Sequence, residues 1–139
     1  LLGWLTYRLG LDGFLRWAFC LWPAQPYERI SWRAPFWNAG DMHFVLPGPD
    51  GKPVETLRYE ALRAGIQEYT LLKMLEERRP AAQVESVLQQ AFRRILRTDN
   101  MADFGRVAQL RADELYSLDP ADYEAARHLM LEALAGSNP

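Results

Sequence analysis

The sequence predicts an α/β arrangement in its first half followed by a helical C-terminal segment, so that the chain taken alone is mostly α-helical. Three observations carry that expectation. Residues 14–22, FLRWAFCLW, alternate between a wholly apolar set and a mixed set, the period-two signature of a strand. A helical pattern precedes this stretch and another follows it, as in a sheet covered by helices. The composition also changes near residue 55. Residues 1–44 hold 11 of the 17 aromatics, and six of the nine prolines fall between Pro23 and Pro53, whereas the remainder is rich in Ala, Leu, Glu and Arg, the residues that helices favour.

The elements follow in order. LLGWLTYRLG places Leu2, Trp4, Leu5 and Leu9 at helical spacing and ends on Gly10, a helix stop. It lacks the basic leader and small-residue cleavage site of a signal peptide, and reads as the tail of a helix from something longer. Asp12-Gly13 makes a turn into the strand at 14–22. Pro23, Pro26 and Pro35 then exclude regular structure, leaving a long ordered loop through Asp41, and loops of that length usually have a task. MHFVLPG is a second extended run leading to the turn signal Asp50-Gly51. Thr56 is the expected N-cap of a second helix with Leu62, Ile66, Tyr69 and Leu72 as its apolar stripe, ended by Pro80. A third helix runs over about 81–97, with Val84, Val87, Leu88, Ala91 and Ile95 on one face, and a further helical stretch covers roughly 100–115. In the last helix Asp119 caps, Pro120 takes the first position, Leu129, Met130, Ala133 and Leu134 face inward, and Gly136 closes.

At 139 residues the chain is of ordinary size for one domain with a buried core. Its net charge of -2 steers it toward neither nucleic acid nor an acidic membrane. Arg93, Arg94 and Arg97 cluster, but they lack the interleaved aromatics of a nucleic-acid surface. Arg8, Asp12 and Arg16 interrupt the most hydrophobic region well short of the roughly 20 apolar residues of a membrane span. The single cysteine, Cys20, excludes an internal disulfide, and two histidines, His43 and His128, are too few for a histidine-rich metal site. No cofactor or metal is expected.

Two regions could carry chemistry. Along the strand, Leu15, Trp17, Phe19 and Leu21 form the apolar face for packing under helices. Phe14, Arg16, Ala18, Cys20 and Trp22 form the other, which would point into a barrel with Trp22 emerging at its mouth. The alternative is a sandwich core with Arg16 paired to an acid. The loop supplies Tyr27, Trp32, Phe36 and Trp37 with Arg29, Arg33, Asn38 and Asp41. That mixture suits sugars, whose C–H faces stack on rings while their hydroxyls need charged or amide partners. The bland alternative is a proline-stiffened plug for a small core. Cys20 reads first as a small buried hydrophobe, and a Cys20–His43 dyad lacks any geometric support in the sequence. Glu60, Arg63 and Glu68 have the spacing of weak helix-surface ion pairs.

One ordered series of motifs is more specific: Gly13 to Phe19, then Trp22, Gly40-Asp41, Pro47-Gly48 and RYEALRAGIQEY at residues 58–69. Together, over roughly residues 4–78, they resemble the C-terminal end of the catalytic region of glycoside hydrolase family 123 and the related domain of unknown function 4091. The resemblance implies a (β/α)8 TIM barrel of which this segment is the last strand and helix. Residues 1–79 would then form the barrel sector and 80–139 a helical extension packed on it. It also implies β-N-acetylhexosaminidase-like chemistry, in which the acetamido oxygen of the sugar is the nucleophile, an Asp orients it and a neighbouring Glu is the acid. That Asp-Glu pair belongs to an earlier strand. The one Asp-Glu dipeptide here, Asp113-Glu114, lies beyond the matched region. Family members often carry Asn or Asp where this chain has Cys20.

The expectation is therefore a portion of a glycoside hydrolase that supplies sugar-pocket walls from Arg16, Trp22, Trp37, Asn38 and Asp41, holds no catalytic residue and is inactive alone. An amino-sugar glycan is the expected partner, and exposed strand edges would permit a homodimer. The competing expectations are a noncatalytic interaction module, for protein or carbohydrate, and a thiol enzyme built on Cys20.

Overall fold

The computed structural model describes residues 1–16, 18–29, 41–106 and 109–136. Its elements are α1 (Leu2–Arg8), β1 (Val45–Pro47), β2 (Pro53–Glu55), α2 (Leu57–Arg78), α3 (Ala81–Ile95), a 3-10 helix (Met101–Arg106), α4 (Ala112–Leu115) and α5 (Pro120–Ala135). The described residues are thus mostly helical, with one two-stranded antiparallel sheet among them. It divides into two compact units, one formed by Leu1–Leu11 with Gly65–Pro139, the other by Asp12–Ala64.

The helical unit holds the core. α1 stops where the sequence says it should. The Leu11 N–H donates to Thr6 O (3.0 Å) and the Gly10 N–H to Tyr7 O (3.1 Å), with Gly10 at φ +61. These are the paired bonds of a Schellman motif. On its other side α1 meets α2 almost backbone to backbone, for a Cβ on Gly3 would sit 2.0 Å from the Gly65 carbonyl oxygen. This contact fixes which face of α2 turns inward. The buried residues are Gly65, Glu68, Leu72 and Leu75, at helical spacings of three and four, and Ile66 of the expected stripe is 59 % exposed. A pattern reading gives no weight to a glycine and counts a glutamate as surface, so the stripe it finds is rotated from the real one.

Trp4, Leu72, Leu75, Val84, Val87, Ala91, Phe92, Ile95, Ala126, Met130 and Ala133 form one continuous core. Each large side chain removed from water there stabilises the fold by about 1.5–3 kcal/mol before ordering costs. Trp4 meets Phe92 edge to face at 5.7 Å, and the Arg8 guanidinium lies 5.3 Å from the centre of the Phe92 ring. α3 packs along α5, presenting the expected Val84, Val87, Ala91 and Ile95 together with Phe92. It ends at Ile95, two residues early, because Leu96 turns to extended backbone and bridges Tyr116.

α5 begins as predicted, with Asp119 Oδ1 accepting from the Ala121 N–H at 2.9 Å and Pro120 behind it. Its other end is closed differently. Gly136 holds the capping position at φ -53, outside the left-handed region. The final carbonyls are taken by Arg79, whose guanidinium donates to Ala133 O (2.7 Å), Leu134 O (2.7 Å) and Gly136 O (2.6 Å). Residues 100–115 are two short helices instead of one stretch. Ser117 and Arg97 both donate to the Asp122 carboxylate, while the Tyr123 hydroxyl donates to Ser117 O. Burial pushes the Tyr123 phenol up to about 12.

In the second unit the predicted strand at 14–22 is corrected. Among its described residues only Cys20 has a strand partner, through an isolated antiparallel bridge to His43. The face expected to lie under helices is exposed: Leu15 is 91 %, Phe19 49 % and Leu21 42 % accessible, while Trp17 lies outside the described residues. Alternation assigns residues to two faces but supplies no neighbour, and a strand without neighbouring strands leaves its backbone groups unpaired. The sheet that does form is the hairpin after it, with Val45 opposite Glu55, Leu46 opposite Val54 and Pro47 opposite Pro53. Its turn is tied by Gly48 N–H to Lys52 O at 2.8 Å and by Lys52 N–H to Asp50 Oδ1 at 3.1 Å.

Candidate functional site

All of the described residues singled out for sugar binding lie in the second unit. The Arg16 guanidinium reaches across to Asp41, its Nε donating to Asp41 O at 3.2 Å and an Nη lying 2.9 Å from Oδ2. Two residues chosen separately as pocket walls are therefore joined in one ion pair, and an acid does stand opposite Arg16, as in the alternative sequence reading. Neither is sealed away, with side chains 32 % and 36 % exposed. A carboxylate has about four acceptor positions, so this contact leaves Asp41 acceptor capacity for hydroxyl donors.

The frame beneath them is set by backbone hydrogen bonds. The Leu21 N–H donates to Met42 O at 2.9 Å and the Phe44 N–H to Phe19 O at 2.8 Å, which lays residues 19–21 along residues 42–44. The Thr56 N–H and hydroxyl both donate to Phe44 O, at 3.2 and 2.6 Å, and the same Oγ1 accepts from the Tyr59 N–H at 3.3 Å as the predicted N-cap. Phe19 stacks on Phe44 at 5.8 Å and meets Tyr59 edge-on at 6.4 Å. Tyr27 is 55 % exposed, yet its hydroxyl donates to Pro47 O at 2.9 Å, anchoring the first part of the loop to β1. Trp22, earlier in the same stretch, is half-buried. Trp37 and Asn38, like Trp32, Arg33 and Phe36, lie outside the described residues.

The Tyr27 anchor and the Tyr59 edge were not singled out in the sequence. Tyr27 stood there as a loop aromatic; its acceptor, Pro47 O, lies 20 residues away, so nothing local in the sequence announces the second role. His43 is held below the ordinary imidazole value, chiefly by burial and then by the Arg58 guanidinium. Among the described residues no group of three or more His, Cys, Asp or Glu side chains could hold a metal ion, and no helix is long and apolar enough to cross a membrane. Asp113 and Glu114 are engaged locally: Asp113 pairs with Arg111, and Glu114 accepts from the Arg111 N–H at 2.7 Å at the start of α4.

The helical unit carries a groove of about 760 Å³, whose lining includes Tyr7, Arg8, Glu85, Leu88, Phe92 and Arg93. Its charges are mixed and its floor partly apolar.

A family model described as the catalytic domain of glycoside hydrolase 123 matches residues 1–75. No curated protein and no solved structure matches the chain.

Proposed function

Since the chain belongs to the glycoside hydrolase 123 catalytic-domain family, we propose that its second unit is part of the carbohydrate-binding wall of a glycoside hydrolase acting on amino-sugar glycans. The observation that carries this reading is the coincidence of the family match with the half-buried Arg16–Asp41 pair, Tyr27 tied to β1, and Trp22 next to the hydrogen-bonded Leu21. Flat apolar faces beside charged hydrogen-bonding groups are what a sugar ring needs. Trp37 and Asn38 complete the proposed wall.

In this reading the parent fold is a (β/α)8 barrel, with α2 as its last helix and residues 80–139 as an extension. The exposed Phe14, Leu15, Phe19 and Leu21 support it, because such side chains are the ones a neighbouring strand or helix would cover. The chemistry is hydrolysis assisted by the acetamido oxygen of the sugar, and the Asp–Glu pair it needs is contributed by an earlier barrel strand. Asp113 and Glu114 do not fit that role, since both are committed to the start of α4.

The test is titration of the chain with an N-acetylgalactosamine oligosaccharide, followed by tryptophan fluorescence and calorimetry. Saturable binding lost in both Trp22→Ala and Asp41→Ala, with the fold retained by circular dichroism, is expected. Binding that is absent, or untouched by both substitutions, would sink the reading. A second reading, a noncatalytic protein-interaction module, draws on the groove of the helical unit. It predicts that Leu88→Asp releases a bound protein while sugar affinity stays unchanged.

A further inference from the structure

The groove of the helical unit takes no part in the sugar reading. α3 supplies its long side: Val84, Leu88 and Phe92 line it at intervals of four residues, each followed by a polar neighbour, Glu85, Gln89 or Arg93. Residues four apart on a helix stand about 6 Å apart along its axis and form a ridge. From Ala81 to Arg93 the lining follows α3 for about 18 Å, so an elongated partner is needed to cover it. A second helix of about three turns has that length, and its side chains at intervals of three and four interleave with such a ridge. The charges on the lining are not equivalent. Glu76 pairs with Lys73, Glu85 accepts from the Gln89 amide at 3.4 Å, Arg79 closes α5, and Arg97 pairs with Asp122 at 3.0 Å. That leaves Arg8, Arg93 and Asp99. Arg8 lies over the Phe92 ring and Arg93 follows Phe92 in α3, so both belong to the C-terminal end of the ridge. Among the described residues no ion pair joins either arginine to an acid, Asp99 included. Glu85 stands eight residues before Arg93, about 12 Å along the helix, where salt screens most of its effect. The uncommitted charge at this end is therefore net positive.

We infer that this groove is the docking site for an amphipathic, acidic helix of a partner protein, whose apolar side chains lie along Leu88 and Phe92 and whose carboxylates pair with Arg8 and Arg93. The inference rests on the protein-interaction reading and adds the chemistry of the partner. The ridge supplies the burial, and the two arginines select the partner and fix which end of it lies where. Arg8 is suited to the task because the Phe92 ring already holds its guanidinium, so pairing orders it less than a freely moving side chain. A guanidinium fork also takes both oxygens of one carboxylate, which a lysine cannot do. The basic cluster of the sequence is thereby divided between two tasks. Arg97 holds the start of α5 through Asp122, while Arg93 lines the groove.

The test uses the full chain and three fluorescein-labelled helical peptides of about 16 residues, identical in their leucine stripe and carrying Glu, Gln or Lys beside it, with binding followed by anisotropy. The Glu peptide should bind the wild-type chain roughly tenfold more tightly than the Gln peptide, and the Lys peptide should bind most weakly. The preference for Glu should shrink as salt is raised and vanish in the chain carrying both Arg8→Gln and Arg93→Gln, whereas Leu88→Asp should weaken all three peptides. Equal binding of the Glu and Gln peptides, with both lost in Leu88→Asp, overturns the acidic partner and leaves the groove as a protein site. An absence of saturable binding by the Glu peptide, or binding that a folded Leu88→Asp chain retains in full, overturns the groove reading as well. Because the comparison of Glu with Gln is made on the wild-type chain, a variant that fails to fold does not shelter the inference.

Discussion

The two units of this chain start from similar material and end differently. Both are rich in large apolar residues, but the helical unit buries Trp4, Leu72, Leu75, Ile95, Leu115 and Met130 almost completely, whereas among the described residues of Asp12–Ala64 only Met42 and Val45 are buried hydrophobics. Phe14, Leu15, Phe19, Leu21, Tyr27, Val54 and Leu57 stay exposed there. A helix satisfies its own backbone, so its apolar stripe is free to find another stripe nearby in the chain. An extended segment must find a neighbouring strand before its faces mean anything, and here residues 42–44 offer residues 19–21 only a short partner. The lesson is that apolar content measures the demand for a core, while the core itself depends on elements close enough to share it.

The sharpest way to break that comparison is to remove the largest core residue. Trp4→Ala should lower stability by roughly 3–5 kcal/mol through lost burial and the cavity it leaves, read as a fall in the urea midpoint with an unchanged slope. A loss below about 1 kcal/mol would mean that the helical unit is not cored around Trp4. Trp4→Phe should cost less than the alanine change. It keeps much of the packing and removes the indole N–H, which is buried without a partner.

Next in size is Arg79. Its three hydrogen bonds to Ala133 O, Leu134 O and Gly136 O close α5 from outside the helix, so Arg79→Met should cost about 1.5–3 kcal/mol, the range for bonds to a charged group. Hydrogen exchange should place the damage in the last turn of α5 first. If the exchange of residues 130–135 were unchanged, Arg79 would not be the cap.

These two residues also mark how far the sequence could be read. Trp4 stands in a periodic stripe, and the caps at Thr56 and Asp119 and the stop at Gly10 are local grammar, written within four residues of where they act. Arg79 acts on residues more than fifty positions away, and nothing in its neighbourhood announces that. The same is true of the functional residues. Arg16, Trp22 and Asp41 could be chosen by type, but that Arg16 and Asp41 bind each other, and that Cys20 faces His43, depends on how residues 19–21 lie along 42–44. Alternation in 14–22 gave two faces and no register, and the α2 stripe was displaced because Gly65 and Glu68 do not count as apolar.

A smaller effect depends on pH. The Asp122 carboxyl is held below the usual carboxylate range, first by the Ser117 hydroxyl and then by Arg97. A carboxyl whose folded value is depressed stabilises the fold above its unfolded value, near 4, and that stabilisation is lost as the pH falls through the folded value. Asp122→Asn should therefore lower the melting temperature at about pH 7, and the difference from the wild-type chain should shrink as the pH drops below about 4. A constant difference down to strongly acidic pH would mean that the charge of Asp122 contributes nothing.

The smallest expected effect tests the other side of the comparison. Leu15 is 91 % exposed, so Leu15→Lys should change the stability of this chain by no more than about 0.5 kcal/mol, measured by the same urea titration used for Trp4→Ala. A Leu15→Lys loss approaching that of Trp4→Ala would break the contrast between the units, for it would require Leu15 to be packed. The substitution also separates the barrel reading from its rivals. In a polypeptide that supplies the strands and helices proposed to cover residues 14–21, removing a buried leucine alone would cost about 1.5–3 kcal/mol, and burying the lysine charge would add to that. The same change would thus be silent in this chain and severe in the longer one. An interaction module that works through the groove of the helical unit predicts equal, small effects in both.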